Sequence, residues 1–186
     1  MKKIMLIAAM ALLTVSAFAQ KVGRVSYEEL MYLMPDYMEA QRTLAAVNKE
    51  TSETYNAMVT EYQSKRQSFE QKQASYTESV RQSKQAELAD IERRLQEFQQ
   101  MAYQEIQEKQ NELIAPIREK AISAIRDLAK AQEILLVFDV SQLIYFDEAN
   151  TIDLMPAART ALGIPEGRTL ENVQEEISAL QLQFSE

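Results

Sequence analysis

The sequence of 186 residues contains no cysteine, no histidine and no tryptophan, and only 3 glycines. Without cysteine or histidine there is no zinc finger, thiol nucleophile, serine–histidine triad or imidazole base, so most compact catalytic and transition-metal sites are excluded. The few glycines also leave no phosphate-binding loop, because the dinucleotide and P-loop fingerprints need several glycines close together. We therefore predict that the chain is not an enzyme and has no cofactor and no metal site.

The first residues have the pattern of a secretory signal peptide. Lys2 and Lys3 form a basic n-region, residues 4–13 are an unbroken apolar segment, and residues 17–19 (Ala-Phe-Ala) form a small-x-small cleavage motif. The apolar segment is shorter than the ~20 residues that a membrane-spanning helix needs. We predict that residues 1–19 are the signal peptide, that it is cleaved after Ala19, and that the mature chain is exported.

Negative charge is concentrated in the C-terminal part of the chain. Removing Lys2 and Lys3 leaves 18 basic and 28 acidic side chains, a net charge of −10. Residues 36–132 hold 14 basic and 16 acidic side chains, whereas residues 133–186 hold 2 basic and 10 acidic ones. A nucleic-acid-binding protein shows a basic excess, so we exclude nucleic acid as a partner.

Residues 36–131 have the composition of long exposed helices, with one interior proline, no glycine and a high content of Gln, Glu, Lys, Arg and Ala. Two series recur every seven residues, as in a coiled-coil seam: Leu44, Thr51 and Met58, and Tyr55, Tyr62, Phe69 and Tyr76. One helix of this length would extend about 140 Å, so we expect a reversal. The predicted tip lies near residues 75–84, where Ser75 and Glu78 have capping-box spacing.

Strand and helix signals flank this segment on both sides. Three short runs predict strands: residues 22–25, 134–140 and 143–146. Three further runs predict helices: residues 27–33, ending before Pro35; residues 154–162, capped by Asp153; and residues 169–184, with a three-four apolar repeat. Asp36 is placed to cap the long arm that begins there.

These signals together predict a mostly α fold with a small β body. A long antiparallel helical hairpin, a coiled-coil tentacle, projects from a small α/β oligomerisation body. The predicted segments are the N-terminal part of the body (20–35), the hairpin (36–131), the C-terminal part of the body (132–163) and an amphipathic extension (164–186).

The order of these segments resembles the Skp/OmpH family of periplasmic chaperones. The resemblance covers residues 20–163 and rests mainly on VGRVSYEEL at 22–30 and AQEILLVFDVSQLIYFDEANTIDLMPAARTALG at 131–163, with Met-Pro-Asp-Tyr leading into the long helix. It implies a homotrimer in the periplasm, whose strands form a shared body and whose three hairpins surround a cavity. That cavity is implied to hold unfolded outer-membrane proteins and prevent their aggregation without ATP.

Oligomerisation is also expected from the chain itself, because two or three strands and one thin hairpin bury too little apolar surface to be stable alone. The apolar stripe also widens towards the end of the second arm. The candidate oligomerisation residues are Val22, Val25, Ile114, Ile117, Ile122, Ile125, Leu128, Leu135 and Val137. The alternative is that these side chains only cover the sheet of their own subunit, and the pattern does not distinguish a dimer from a trimer.

The far half of the hairpin is the predicted client-binding region. One seam series changes there to lysine while the other stays aromatic, which favours weaker, more mobile arms that hold apolar and acidic client segments loosely. The candidate residues are Tyr55, Tyr62, Lys65, Phe69, Lys72 and Tyr76. The alternative is that the aromatic side chains only pack across the hairpin.

Two features depart from the family pattern. The best-known relatives are strongly basic, which helps them approach acidic clients and anionic membrane surfaces, whereas this chain is acidic. The resemblance implies peripheral contact with a membrane surface, and the acidic charge disfavours electrostatic capture of clients outside the tip. The chain also continues beyond Gly163 into the extension. Some relatives are thought to bind lipopolysaccharide through basic side chains, but that arrangement is not matched residue by residue here, so we assign no lipid site. The alternative function is a structural or adaptor coiled-coil protein of the cell envelope with one fixed partner.

Overall fold

The computed structural model describes residues 21–185 and divides them into two compact units. The first unit contains residues 21–30 and 120–165, and the second contains residues 31–119 and 166–185. The predicted signal peptide and its cleavage site after Ala19 lie outside the described residues.

Helices make up most of the described chain. In chain order, the helices and strands are β1 (Val22–Val25), α1 (Tyr27–Leu33), α2 (Pro35–Lys72), α3 (Glu78–Ala131), β2 (Leu136–Asp139), β3 (Ile152–Asp153), α4 (Met155–Ala161) and α5 (Leu170–Ser185). The predicted fold class is confirmed: α2 and α3 are long helices of 38 and 54 residues, and the sheet is small. Within residues 21–185, none of these helices combines the length and apolar character that crossing a bilayer requires.

The first unit contains a parallel sheet of three strands in the order β2-β1-β3. Val22 to Val25 of β1 pair with Leu136 to Asp139 of β2, and Gly23 and Arg24 pair with the two residues of β3. Parallel neighbours cannot be joined by a tight turn, so a long crossover connection must lie between β1 and β2. Both long helices lie in that connection, as the sequence predicts.

Gly23 is where the sheet packs most closely against its neighbours. A Cβ atom at this position would lie 3.1 Å from Leu154 Cδ1 and 3.3 Å from Cγ2 of both Ile134 and Val137. Real Cβ atoms rarely approach other atoms so closely, and Leu154 is fully buried. A side chain at this position would therefore force these neighbours to shift by a few tenths of an ångström.

The predicted strand over residues 143–146 is wrong. β2 ends at Asp139, whose carboxylate accepts a hydrogen bond from the Ser141 amide at 3.1 Å and starts a 3₁₀ turn at Val140–Gln142. Asp147 repeats this arrangement, accepting from the Ala149 amide at 3.0 Å. Such local bonds compete with a sheet ladder, so the third strand forms only at Ile152–Asp153.

Helix α4 begins as the sequence predicts, because Asp153 Oδ1 accepts a hydrogen bond from the Met155 amide at 2.9 Å. The predicted capping of α2 by Asp36 is wrong. Met34 occupies the N-cap position with extended backbone, Pro35 begins the helix, and Asp36 lies in its first turn. Proline suits this position because its missing N–H group would have no partner inside the helix.

In the second unit, the chain reverses between α2 and α3, which are separated by residues 73–77 rather than by the predicted tip near 75–84. Ser75 Oγ donates to the Lys72 carbonyl at 2.7 Å, while Thr77 Oγ1 accepts from the Val80 amide at 3.4 Å. Ser75 therefore closes the first arm and Thr77 caps the second, so the predicted capping box of Ser75 and Glu78 is wrong.

Candidate functional site

The six residues predicted to bind clients lie on α2 and in the turn that follows it, within the second unit. The four aromatic side chains are half-buried, as is Lys65, whereas Lys72 is exposed. The structure thus places them along one stretch of the arm from Tyr55 to Tyr76. None of the four rings is fully withdrawn from solvent.

Three of these residues bond to α3. Gln99 Nε2 donates to the Tyr55 hydroxyl at 2.7 Å, the Tyr62 hydroxyl donates to Glu92, and Lys65 Nζ donates to Glu87. The residue number on α3 falls as the number on α2 rises. This is the register of two antiparallel arms joined at one end.

Glu87 is the centre of the strongest electrostatic interaction between the arms. It accepts hydrogen bonds from Lys65 and, at 2.8 Å, from Lys84. These two donors, Lys65 first, lower the pKa of the Glu87 carboxyl to about 2, and the bond to Glu87 raises the pKa of Lys65. Lys65 is therefore engaged within the hairpin, and an acidic client segment would have to compete with Glu87 for it.

Tyr62 is engaged in the same way. Its hydrogen bond to Glu92 raises the pKa of the Tyr62 hydroxyl. The hydroxyl groups of Tyr55 and Tyr62 form hydrogen bonds with Gln99 and Glu92 of α3, and these bonds fix the orientation of the two rings. Their half-exposed ring surfaces still offer apolar contact area to a loosely bound chain.

The two aromatics nearest the reversal differ from the others, because they meet each other. The ring centroids of Phe69 and Tyr76 are 6.3 Å apart, and both rings line a small cleft of about 60 Å³. The other side chains that line the cleft are Lys65, Ser68, Lys84, Glu87 and Leu88. The cleft offers ring surfaces for apolar contact, but its two cations both bond to Glu87, so an acidic group would have to displace the Glu87 carboxylate.

Helix α3 also has exposed apolar side chains that the heptad pattern did not identify. Met101 and Tyr103 are 60% and 68% exposed. Both lie outside the two heptad series, so periodicity gave no reason to select them. A methionine and a tyrosine exposed on one helix add adaptable apolar surface to the second arm.

The nine predicted oligomerisation residues do not gather in one unit. Ile114 and Ile117 lie in the second unit, and the other seven lie in the first. Val25 and Ile117 are buried within their own subunit, whereas Leu135 is 68% exposed. The remaining six are half-buried: Val22, Ile114, Ile122, Ile125, Leu128 and Val137.

The first unit exposes more apolar surface near Leu135 in the sequence. The side chains concerned, called the β2 edge segment below, are Leu135, Leu136, Leu143, Ile144 and Tyr145. Leu136 is 57% exposed, Tyr145 is 82% exposed, and Ile144 is fully exposed. Residues 143–145 were not selected as exposed apolar surface, because their apolar run predicts a paired strand.

Comparison with known families gives one match. A family model described as Outer membrane protein (OmpH-like) matches residues 21–162, which is more than half of the chain. The matched region includes both arms and all three strands, and helix α5 lies outside it. No curated protein matches the sequence.

Proposed function

This chain belongs to the OmpH-like family, a family of periplasmic chaperones of outer-membrane proteins, and we propose that it is an ATP-independent holdase. In this proposal it binds unfolded outer-membrane proteins in a cavity between hairpin arms and prevents their aggregation. The observation that carries the proposal is the row of half-exposed aromatic side chains from Tyr55 to Tyr76 along an arm of a family member.

The chemistry of the arms suits loose, unspecific holding. Half-exposed rings offer apolar contact without a deep pocket, so a bound segment keeps much of its freedom. Lys72 is exposed near the reversal and attracts acidic groups. Because Lys65 and Tyr62 already bond to α3, the hairpin holds its own form while the ring surfaces remain available.

We further propose that three copies associate through the first unit. The support is the β2 edge segment, since five large apolar side chains exposed in one unit favour association. β2 is also an edge strand of the three-stranded sheet described within residues 21–185, and parallel sheets are normally covered on both faces. A neighbouring subunit would cover the apolar side chains and the strand edge together.

The periplasmic location of the family agrees with the export signal read from the sequence. Cleavage after Ala19 is part of the proposal, and N-terminal sequencing of the exported protein tests it. Peripheral contact with a membrane surface stays a prediction from the family resemblance.

An ATP-free aggregation assay tests the holdase proposal. An outer-membrane β-barrel protein is unfolded in urea and diluted with or without the chaperone, light scattering is followed, and the oligomer mass is measured alongside. We expect one trimer per client to suppress most of the scattering. Absence of suppression would favour the adaptor alternative, in which the chain should instead form a stoichiometric complex with a single envelope partner.

A pair of variants tests the role of the aromatic side chains. Phe69→Ser combined with Tyr76→Ser removes the two rings that line the small cleft, and Gln67→Ser combined with Gln71→Ser changes two exposed side chains on the same arm. Because a buried aromatic contact is worth about 1 kcal/mol, we expect the first pair to weaken client binding roughly tenfold with the oligomer mass unchanged. Equal effects of the two pairs would show that the rings only pack across the hairpin.

A further inference from the structure

Helix α5 lies beyond the region matched by the family, yet it packs on the first arm. Its seam side chains Val173, Ile177, Leu180 and Phe184 follow a spacing of four, three and four residues. Ile177, Leu180 and Phe184 lie beside Leu44 and Ala45 of α2 in the same groove, within the second unit. We propose that α5 is a built-in competitor, whose C-terminal half occupies apolar residues of α2 that also bind an aromatic-bearing apolar segment of an unfolded client.

The two ends of α5 are held differently, and the N-terminal end is firmly anchored. Thr169 and Asn172 exchange hydrogen bonds at 3.2 Å in both directions, as in a capping box. Arg168 Nη1 donates to Glu176 at 2.9 Å, and Val173 is 3% exposed. This end stays in place through a cap, an ion pair and a buried side chain.

The C-terminal half of α5 borders an open groove. A groove of about 250 Å³ remains between the helices, lined by Leu44, Ala45, Lys49, Leu180 and Phe184 among others. The groove is open to solvent, so the side chains of α5 that line it are not enclosed on all sides. A cavity of about 150 Å³ is enough to hold a benzene ring, so the groove can accept an aromatic side chain.

The contact at the end of α5 indicates what kind of side chain the groove accepts. Lys49 Nζ lies 5.9 Å from the centroid of the half-buried Phe184 ring, within reach of a cation–π interaction. An aromatic side chain of a client would find the same apolar floor and the same cation. Strands of outer-membrane barrels carry aromatic residues at both membrane interfaces, so unfolded barrels supply such segments.

The position of the groove connects it to the proposed client-binding row. Asn48 in the groove wall and Tyr55 are seven residues apart on α2, so they lie on the same face of the helix. A client segment lying along the aromatic row would therefore reach the groove beside Ser52 and meet the end of α5. Displacing the last two turns of α5 would extend the binding surface by about 10 Å or more, at 1.5 Å per residue over seven residues.

This inference rests on the holdase proposal, and a binding assay separates the two. The probe is a fluorescently labelled outer-membrane β-barrel protein diluted from urea, and its affinity is measured for the full chain, for a chain ending at Gly167, and for Phe184→Ala. Because both changes weaken the competitor, we expect three- to tenfold tighter binding for each. The control is Leu182→Ala on the same helix, where the side chain is 72% exposed, and its affinity should match that of the full chain.

Two further measurements complete the test. A synthetic peptide of residues 168–186 should compete with the client for the chain ending at Gly167, and Lys49→Met should weaken both peptide and client binding to that chain. If the full chain binds the client but neither variant tightens binding, α5 is only a structural brace and the inference is overturned while the holdase proposal stands. If the full chain binds no client at all, the holdase proposal itself fails.

Discussion

The first unit and the arms of the second unit, residues 45–116, use apolar side chains in different ways. In the first unit, neighbours pack so closely on Gly23 that an added Cβ would lie only 3.1–3.3 Å from them, while the β2 edge segment stays exposed. In the second, only Ile91 is fully buried within residues 45–116, and the arms are joined by polar bonds between half-exposed side chains. The difference suggests a closely fitted unit that needs a partner of fixed shape, and a pair of arms that tolerates partners of many shapes.

The largest expected effect follows from placing a charge in the exposed surface of the first unit. Ile144 is fully exposed in the single chain, so Ile144→Asp should leave the subunit folded. If this side chain is buried between subunits, an unpaired carboxylate there costs about 2–5 kcal/mol, which weakens association more than thirtyfold. Sedimentation of the variant at micromolar concentration should show monomers.

Leu182→Asp is the matched control for this experiment, because Leu182 is an exposed apolar residue of the second unit. The oligomer mass of this variant should equal that of the unchanged protein. If the Ile144→Asp variant also kept the oligomer mass of the unchanged protein, the β2 edge segment would not be the contact between subunits.

The next largest effect concerns the close packing of the first unit. Gly23→Val places three new carbon atoms where 3.1–3.3 Å is available, and overpacking of this kind costs about 1–3 kcal/mol. Gly23→Ala should cost less, because only the neighbouring side chains must move. Urea unfolding of both variants measures this difference, and equal stability of all three proteins would show that the unit is not closely packed.

The architecture could be predicted from the sequence because it depends on periodicity and order. The heptad series, the short runs at residues 22–25 and 134–140, and the absence of glycine from 36–131 gave the two long helices and the strands that meet across them. The third strand was misplaced because residues 143–146 are apolar, while the carboxylates of Asp139 and Asp147 bond to nearby backbone amides. A hydropathy pattern does not show whether a backbone amide will bond to a nearby side chain or to a neighbouring strand.

The bonds between the arms could not be predicted for a related reason. Which residue of α3 lies opposite a given residue of α2 depends on where the chain reverses. If the centre of the tip moves by two residues along the sequence, the residue opposite any position on α2 changes by four. With the reversal at residues 73–77, Tyr62 meets Glu92 and Lys65 meets Glu87. The heptad pattern predicted which side of each helix faces the other arm, but not which residues lie opposite each other. Lys65 was therefore expected to weaken the contact between the arms, whereas its ion pair with Glu87 joins them.

A smaller effect is expected at the end of α3, in the first unit. Glu133 has a φ of 56°, a left-handed conformation that favours glycine, and the Ile134 amide donates to the Ala129 carbonyl at 2.8 Å to close the helix. Glu133→Gly should therefore stabilise the protein by about 0.5–1 kcal/mol. Glu133→Ala keeps the Cβ and should bring no gain. Equal unfolding midpoints in urea for the two variants would contradict this.

The smallest effect should appear in the arms, where the polar contacts titrate. Lys65 and Lys84 lower the pKa of the Glu87 carboxyl from 4.5 to about 2, so its charged form is favoured in the folded hairpin. A lowered pKa adds stability above about pH 4.5, and this contribution is lost as the pH falls from 4.5 towards 2. The side chains of Lys65 and Glu87 are both partly exposed, so the change is small and screened by salt.

Hydrogen exchange of the amides in α2 and α3 measures this loss locally. Exchange should speed up as the pH falls through that window, after correction for the intrinsic rate, and Glu87→Gln should remove part of the pH dependence. Glu105→Gln, an exposed position on the same helix, should leave it unchanged. A carboxyl titration of Glu87 with its midpoint near 4.5 would mean that the arms do not form these bonds in solution. The two arms would then be held together only by the half-buried apolar side chains between them. Their ability to bind different partners would come from this weak apolar packing and not from hydrogen bonds that a client can replace.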